Sequence, residues 1–246
     1  MIKLLVVNGC SYTRSYSDGN GHIDLARGLG IVGHHNIPLA VSLAIGGSAN
    51  SRILRTTLKH SYITQVPTLY VLGMTFVSRL ELPICNPDDE FEGTWCNPQN
   101  QEFESRWQHQ WTVRDSEQFV ETKLKSEVYS ILDRTEDLMY RMVSAITDIR
   151  SRGHRVLMFQ QADNLYQEHL SNPRLKLFQR PEIIQGFGWR SVAWQHAQGV
   201  EPTIYATSRP PGRPPVPPEI THPKPGQHQL VNEYLTNYIQ EHKILE

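Results

Sequence analysis

Long apolar runs, cysteine clusters and an excess of charge of either sign are all missing from this sequence. No stretch approaches the ~18–20 consecutive apolar residues of a membrane span, so no membrane-crossing helix and no membrane partner are expected. Only three cysteines occur, Cys10, Cys85 and Cys96. An odd, scattered set argues against a disulfide framework and fits a reducing, cytoplasmic setting. Cys85 and Cys96 would pair only in an oxidising compartment. Lys plus Arg number 24 against 25 Asp plus Glu, a formal net charge of −1. That balance leaves no extended basic footprint, and no nucleic-acid partner is expected. The first residues, Met1-Ile2-Lys3, run straight into strand-like sequence without a small-residue cleavage site, so a secretory leader is not expected. No Gly-x-Gly-x-x-Gly is present, and no Lys-Ser/Thr follows Gly46-Gly47 in phosphate-loop spacing. Neither His34-His35 nor the Cys85/Cys96 pair has zinc-site spacing. No cofactor and no metal are therefore expected.

What is present is an alternation of strand-like and helix-like segments over 246 residues. Residues 2–7 form a continuous apolar run ended by Asn8-Gly9, the pattern of a strand buried on both faces. Residues 37–45 give a second strand closed by Gly46-Gly47. Ser48 or Asn50 then caps a helix over residues 51–62, with Ile53, Leu54 and Leu58 on one face. Thr68–Met74 reads as a third buried strand. Ile131, Leu132, Leu138, Met139, Met142, Val143, Ile146 and Ile149 follow a 3.6-residue period, predicting a long helix that exits at Arg152-Gly153-His154. Residues 155–160 form a fourth strand, and residues 227–242 a final helix with Leu230, Tyr234, Leu235 and Ile239 apolar.

Such alternation predicts a parallel sheet covered on both sides, an α/β fold of three layers. Ligands of these sheets bind beyond the carboxyl ends of the strands. Ser11, Gly47 and Thr75 each come just after a strand, so they are expected to gather at that edge. Residues 76–116 break the rhythm with a polar, irregular insertion carrying Trp95, Trp107 and Trp111, a length that in compact domains usually covers a site, binds a ligand or is disordered. Arg79 and Glu81 leave the same sheet edge, either pairing with each other or contacting substrate. Residues 209–218 are proline-rich and favour an extended conformation, a stiff spacer delivering Glu219 and His222 to the sheet edge. No internal repeat and no independent second domain is evident, so residues 1–246 are read as one domain.

The chemistry-bearing residues lie near the two ends. Asn8-Gly9-Cys10-Ser11-Tyr12-Thr13 puts a hydroxyl on a turn after the first strand. Glu219-Ile220-Thr221-His222-Pro223 sets a carboxylate three residues ahead of an imidazole. A serine needs a histidine to take its proton, and the histidine needs an acid to hold its tautomer. Taken singly, Ser11 reads as a turn residue and Glu219 as a solvated charge. His228, the nearest rival to His222, sits one turn into the final helix.

Together these blocks resemble the SGNH/GDSL hydrolase superfamily, in family order from residue 9 to residue 223. The family's Gly-Asp-Ser reads here Gly9-Cys10-Ser11, its second-block glycine falls in Gly46-Gly47-Ser48-Ala49-Asn50, and its Asp-x-x-His reads Glu219-Ile220-Thr221-His222. The resemblance implies a flavodoxin-like parallel sheet of SGNH-hydrolase type, with Ser11 as nucleophile, His222 as general base and Glu219 as its orienting acid. It also implies an oxyanion hole built from the backbone N–H groups of Ser11 and Gly47. The third block departs from the family: Gly-x-Asn-Asp is replaced by Gly73-Met74-Thr75-Phe76, which leaves Asn50 or Thr75 to supply the side-chain donor. The implied activity is ester hydrolysis, with a small-molecule or carbohydrate ester such as an acetyl sugar as the first substrate class. An acyltransferase using the same residues, and a binding module that kept the fold but lost the chemistry, are the alternatives.

Overall fold

The computed structural model describes residues 1–10, 13, 30–44, 48–75, 82–83, 95–96, 131–160, 180–184 and 225–246. Strand β1 is Leu4–Asn8, followed by the short helix α1 (Gly30–His34) and strand β2 (Leu39–Ser42). Helix α2 (Asn50–Ile63) leads into β3 (Thr68–Met74). Two-residue strands β4 (Leu82–Pro83) and β5 (Trp95–Cys96) pair antiparallel inside the segment read as irregular. Helix α3 (Ile131–Ser151), strand β6 (Arg155–Gln160), strand β7 (Ile183–Ile184) and helix α4 (Pro225–Glu241) complete the described elements.

Five of the strands form one parallel sheet in the order β2-β1-β3-β6-β7. This is the flavodoxin-like order expected of a doubly wound α/β protein. Its physical origin is visible in the alternation along each central strand. Leu5 and Val7 of β1, Leu69 and Val71 of β3, and Leu157 and Phe159 of β6 point to one face. There they pack with Val231, Leu235 and Ile239 of α4 and with Ile31 of α1. Leu4, Val6, Tyr70, Leu72, Met74, Val156 and Met158 point to the other face, against Ile53 and Leu54 of α2 and Leu138, Met139, Met142, Ile146 and Ile149 of α3. Both faces of β1 and β3 are buried, so these strands read as continuous apolar runs.

The expected long helix, the fourth strand and the final helix are all present close to their expected bounds. Gly153 ends α3 at φ +81°, the left-handed exit that glycine adopts freely. The second strand is shorter than the expected 37–45 and lies at the sheet margin, with Leu39 62% and Val41 42% exposed. Neither Ser48 nor Asn50 is the N-cap of α2. Ala49 occupies that position and has no side-chain acceptor with which to cap, while the Asn50 amide bonds to Thr75.

Candidate functional site at the carboxyl edge of the sheet

Strands β1 and β3 are neighbours in register, with Asn8 opposite Leu72. The chain leaving β1 at Gly9-Cys10 and the chain leaving β3 at Thr75 therefore emerge side by side at the carboxyl edge. Two buried asparagines fix these exits.

Asn8 belongs to the face of β1 that looks toward α2. Its amide Nδ2 lies 3.0 Å from the Ile53 carbonyl, 2.9 Å from Thr56 Oγ1 and 2.8 Å from Thr57 Oγ1, three acceptors that share its two hydrogens. Its Oδ1 accepts the Gly9 N–H at 2.8 Å. Thr56 Oγ1 in turn donates to the Arg52 carbonyl at 2.8 Å, which leaves its lone pairs to receive Asn8. One fully buried side chain thus fastens the end of β1 to α2 and sets the first peptide of the adjoining loop. Past it, Thr13 N–H donates to the Cys10 carbonyl at 3.0 Å, and Cys10 packs into the core on the α1/α4 side of the sheet. Read from sequence, Asn8 is only the end of a strand. Its signal is an amide at the close of an apolar run, where a buried polar group requires partners.

Asn50, the first residue of α2, reaches across to the end of β3. Its Oδ1 accepts the Thr75 N–H at 2.7 Å and its Nδ2 donates to the Thr75 carbonyl at 3.0 Å. The carboxamide pairs with the peptide as a neighbouring strand would, at the point where β3 has run past the end of β1. The structure thus brings together Asn50 and Thr75, the two residues that the sequence offers as alternative oxyanion donors. Close by, Arg52 extends its guanidinium to the Leu43 carbonyl (3.4 Å) and the Ser48 hydroxyl (3.3 Å), the residues on either side of the 45–47 segment. Ser11, Gly46, Gly47, Glu219 and His222 lie outside the described residues, as do Arg79, Glu81, Trp107, Trp111, Cys85 and residues 209–218.

Among the described residues, the histidines displaced from their ordinary values lie away from this edge. Burial lowers the His60 imidazole, helped by the neighbouring His154. His60 Nδ1 lies 2.9 Å from the hydroxyl of Tyr70, whose own pKa burial raises. His35, beside α4, is likewise lowered by burial and by the charge of His34, against a hydrogen bond with the Thr236 backbone. Among the described residues no group of three or more His, Cys, Asp or Glu side chains converges as a metal site. No described helix is long and apolar enough to cross a membrane. No protein-family model matches the chain, and no curated protein does.

Proposed function

We propose that this protein is a serine hydrolase of the SGNH type that cleaves an ester, with short acyl esters of carbohydrates as the first substrate class. His222 takes the Ser11 proton as Ser11 Oγ attacks the acyl carbon. The resulting oxyanion is held by the N–H groups of Ser11 and Gly47 and by a side-chain donor from Asn50 or Thr75. Collapse expels the alcohol, which receives its proton from His222. The same imidazole then activates water to release the acid and regenerate Ser11, while Glu219 keeps the ring in the right tautomer. The three scattered cysteines, Cys10, Cys85 and Cys96, fit a reducing, cytoplasmic setting for it.

The observation that carries this reading is the pair of asparagine anchors at the carboxyl edge. Asn8 fixes the peptide leading to Cys10 and Ser11, and Asn50 fixes Thr75 on the adjacent strand. A doubly wound sheet presents its ligand crevice at that edge, and buried amides that rigidify two exits there suit a site needing fixed geometry.

The test is hydrolysis of p-nitrophenyl acetate and labelling by a fluorophosphonate probe, with Ser11→Ala and His222→Ala shown folded by circular dichroism. Turnover and labelling confined to the wild type are the expected result. A folded wild type that neither labels nor outpaces Ser11→Ala defeats the reading.

A further inference from the structure

We infer that the Thr75 hydroxyl is the side-chain donor to the oxyanion, and that Asn50 is the positioning residue that aims it. This rests on the hydrolase reading above and decides between the two donors that the sequence leaves open.

Thr75 is fully buried, yet its Oγ1 has no hydrogen-bond partner. Among the described residues, several other hydroxyls in buried residues donate to carbonyls: Thr56 to Arg52, Ser61 to Leu58 and Thr68 to Val66. Thr236 also lacks a side-chain partner, but it belongs to α4 on the opposite face, with its backbone toward His35. An unmet buried hydroxyl costs roughly 1–3 kcal/mol. Valine would fill the same volume at no such cost, so a hydroxyl kept at the carboxyl edge points to an acceptor that arrives with substrate.

The geometry of Thr75 is set by its own backbone. Asn50 takes both its N–H and its carbonyl, at 2.7 and 3.0 Å. That pair of hydrogen bonds to the start of α2 fixes the direction in which the Thr75 side chain leaves the chain. Asn50 spends its Oδ1 and an amide hydrogen on this clamp, whereas Thr75 Oγ1 has no internal bond to break before it donates. A donor already in place, with no competing partner, is what stabilises a developing oxyanion. Thr75 also occupies the position in Gly73-Met74-Thr75-Phe76 where the family's third block has its asparagine.

The experiment is a kinetic double-mutant cycle with p-nitrophenyl acetate on the full chain, using Thr75→Val, Thr75→Ser, Asn50→Ala and the Asn50→Ala/Thr75→Val pair. Thr75→Val is expected to lower kcat by roughly 10²–10³-fold, with KM little changed and a melting temperature at or above that of the wild type. Thr75→Ser, which keeps the hydroxyl, should recover most of that loss. The pair should be no slower than Thr75→Val alone, because Asn50 acts through Thr75. Wild-type kcat in Thr75→Val overturns the inference, as does a further large loss in the pair, which would make Asn50 a donor in its own right. A wild type no faster than Ser11→Ala instead defeats the hydrolase reading itself, and the inference falls with it.

Discussion

The amide of Asn8 and the hydroxyl of Thr57 meet at 2.8 Å in the core, joining the last residue of β1 to α2. The neighbouring bonds to Thr56 and Ile53 make this a cluster in which each polar group depends on the others. Removing one member of a buried set leaves the remaining groups unpaired, which costs more than the lost bond alone. Asn8→Ala should therefore destabilise the fold by about 2–3 kcal/mol, read as a shift in the urea midpoint. Asn8→Asp should be worse, since a carboxylate would face the Ile53 carbonyl. Asn8→Ala melting with the wild type would show that the cluster holds nothing together.

Acid sensitivity should begin in the imidazole range. His60 and His35 both have folded-state values below the ordinary 6.5, chiefly because burial disfavours the charged ring. Well above 6.5 both rings are neutral in folded and unfolded chains alike and contribute no pH dependence. As pH falls below 6.5 the unfolded chain gains protons that the folded one resists, so stability declines until the folded values are passed. Protonation of His60 also leaves Nδ1 able only to donate toward the Tyr70 and Thr64 hydroxyls, each 2.9 Å away. The wild type should melt lower at pH 5.5 than at pH 7.5, and His60→Gln should narrow that gap. Equal melting temperatures at the two values would count against these partly buried rings staying neutral in the fold.

The parts of this fold that are legible in sequence are those whose neighbours need not be known. Residues 4–7, Thr68–Met74 and Arg155–Gln160 are strands of the central sheet, and a run of apolar residues announces that directly. The 3.6-residue period of α3 does the same for its buried face. The strand β7 gives no such signal, because Ile183-Ile184 is too short to carry a period. The helix α1 begins at one glycine and contains another, so its local preference runs against helix. In β2, apolar character signals a strand but not that Leu39 and Val41 lie at an exposed margin, which the strand order decides. The site shows the same divide. Asn50 is the first residue of its helix rather than the cap, and its partner Thr75 lies 25 residues further on, a pairing that no local signal contains. Asn8 likewise takes partners 45 to 49 residues away.

At the end of α3, Gly153 offers a test of backbone cost isolated from packing. A Cβ built there would meet nothing within 4 Å, so only the φ of +81° opposes a side chain. Gly153→Ala should lose about 1–2 kcal/mol, and Gly153→Asn less, because asparagine tolerates the left-handed region. Chemical denaturation of the two variants gives the comparison. An alanine as stable as glycine would mean that the turn relaxes to another conformation without penalty.

Glu182 ties the outer strand to the body of the fold, and its charge is what does so. Its side chain is 4% exposed and pairs with Arg150 from α3 and Arg180 just before β7, while its carbonyl accepts the Met158 N–H at 2.7 Å. Burial by itself raises the carboxyl pKa. Hydrogen bonds from its own backbone N–H and from the two arginines, with the charge of Arg180, outweigh that and leave it below the usual 4.5. A carboxylate lowered in the folded state contributes stability above the unfolded value, and that contribution is lost as pH falls through the folded value. Glu182→Gln should therefore cost about 1–2 kcal/mol near neutrality. The loss stays moderate because Arg150 and Arg180 keep contact with water and are not stranded as buried charges. The difference from wild type should shrink as both are taken below pH 4, where the native carboxyl also begins to take up its proton. A difference that stayed constant from pH 7 to pH 3 would assign the effect of Glu182 to packing rather than to its ion pairs.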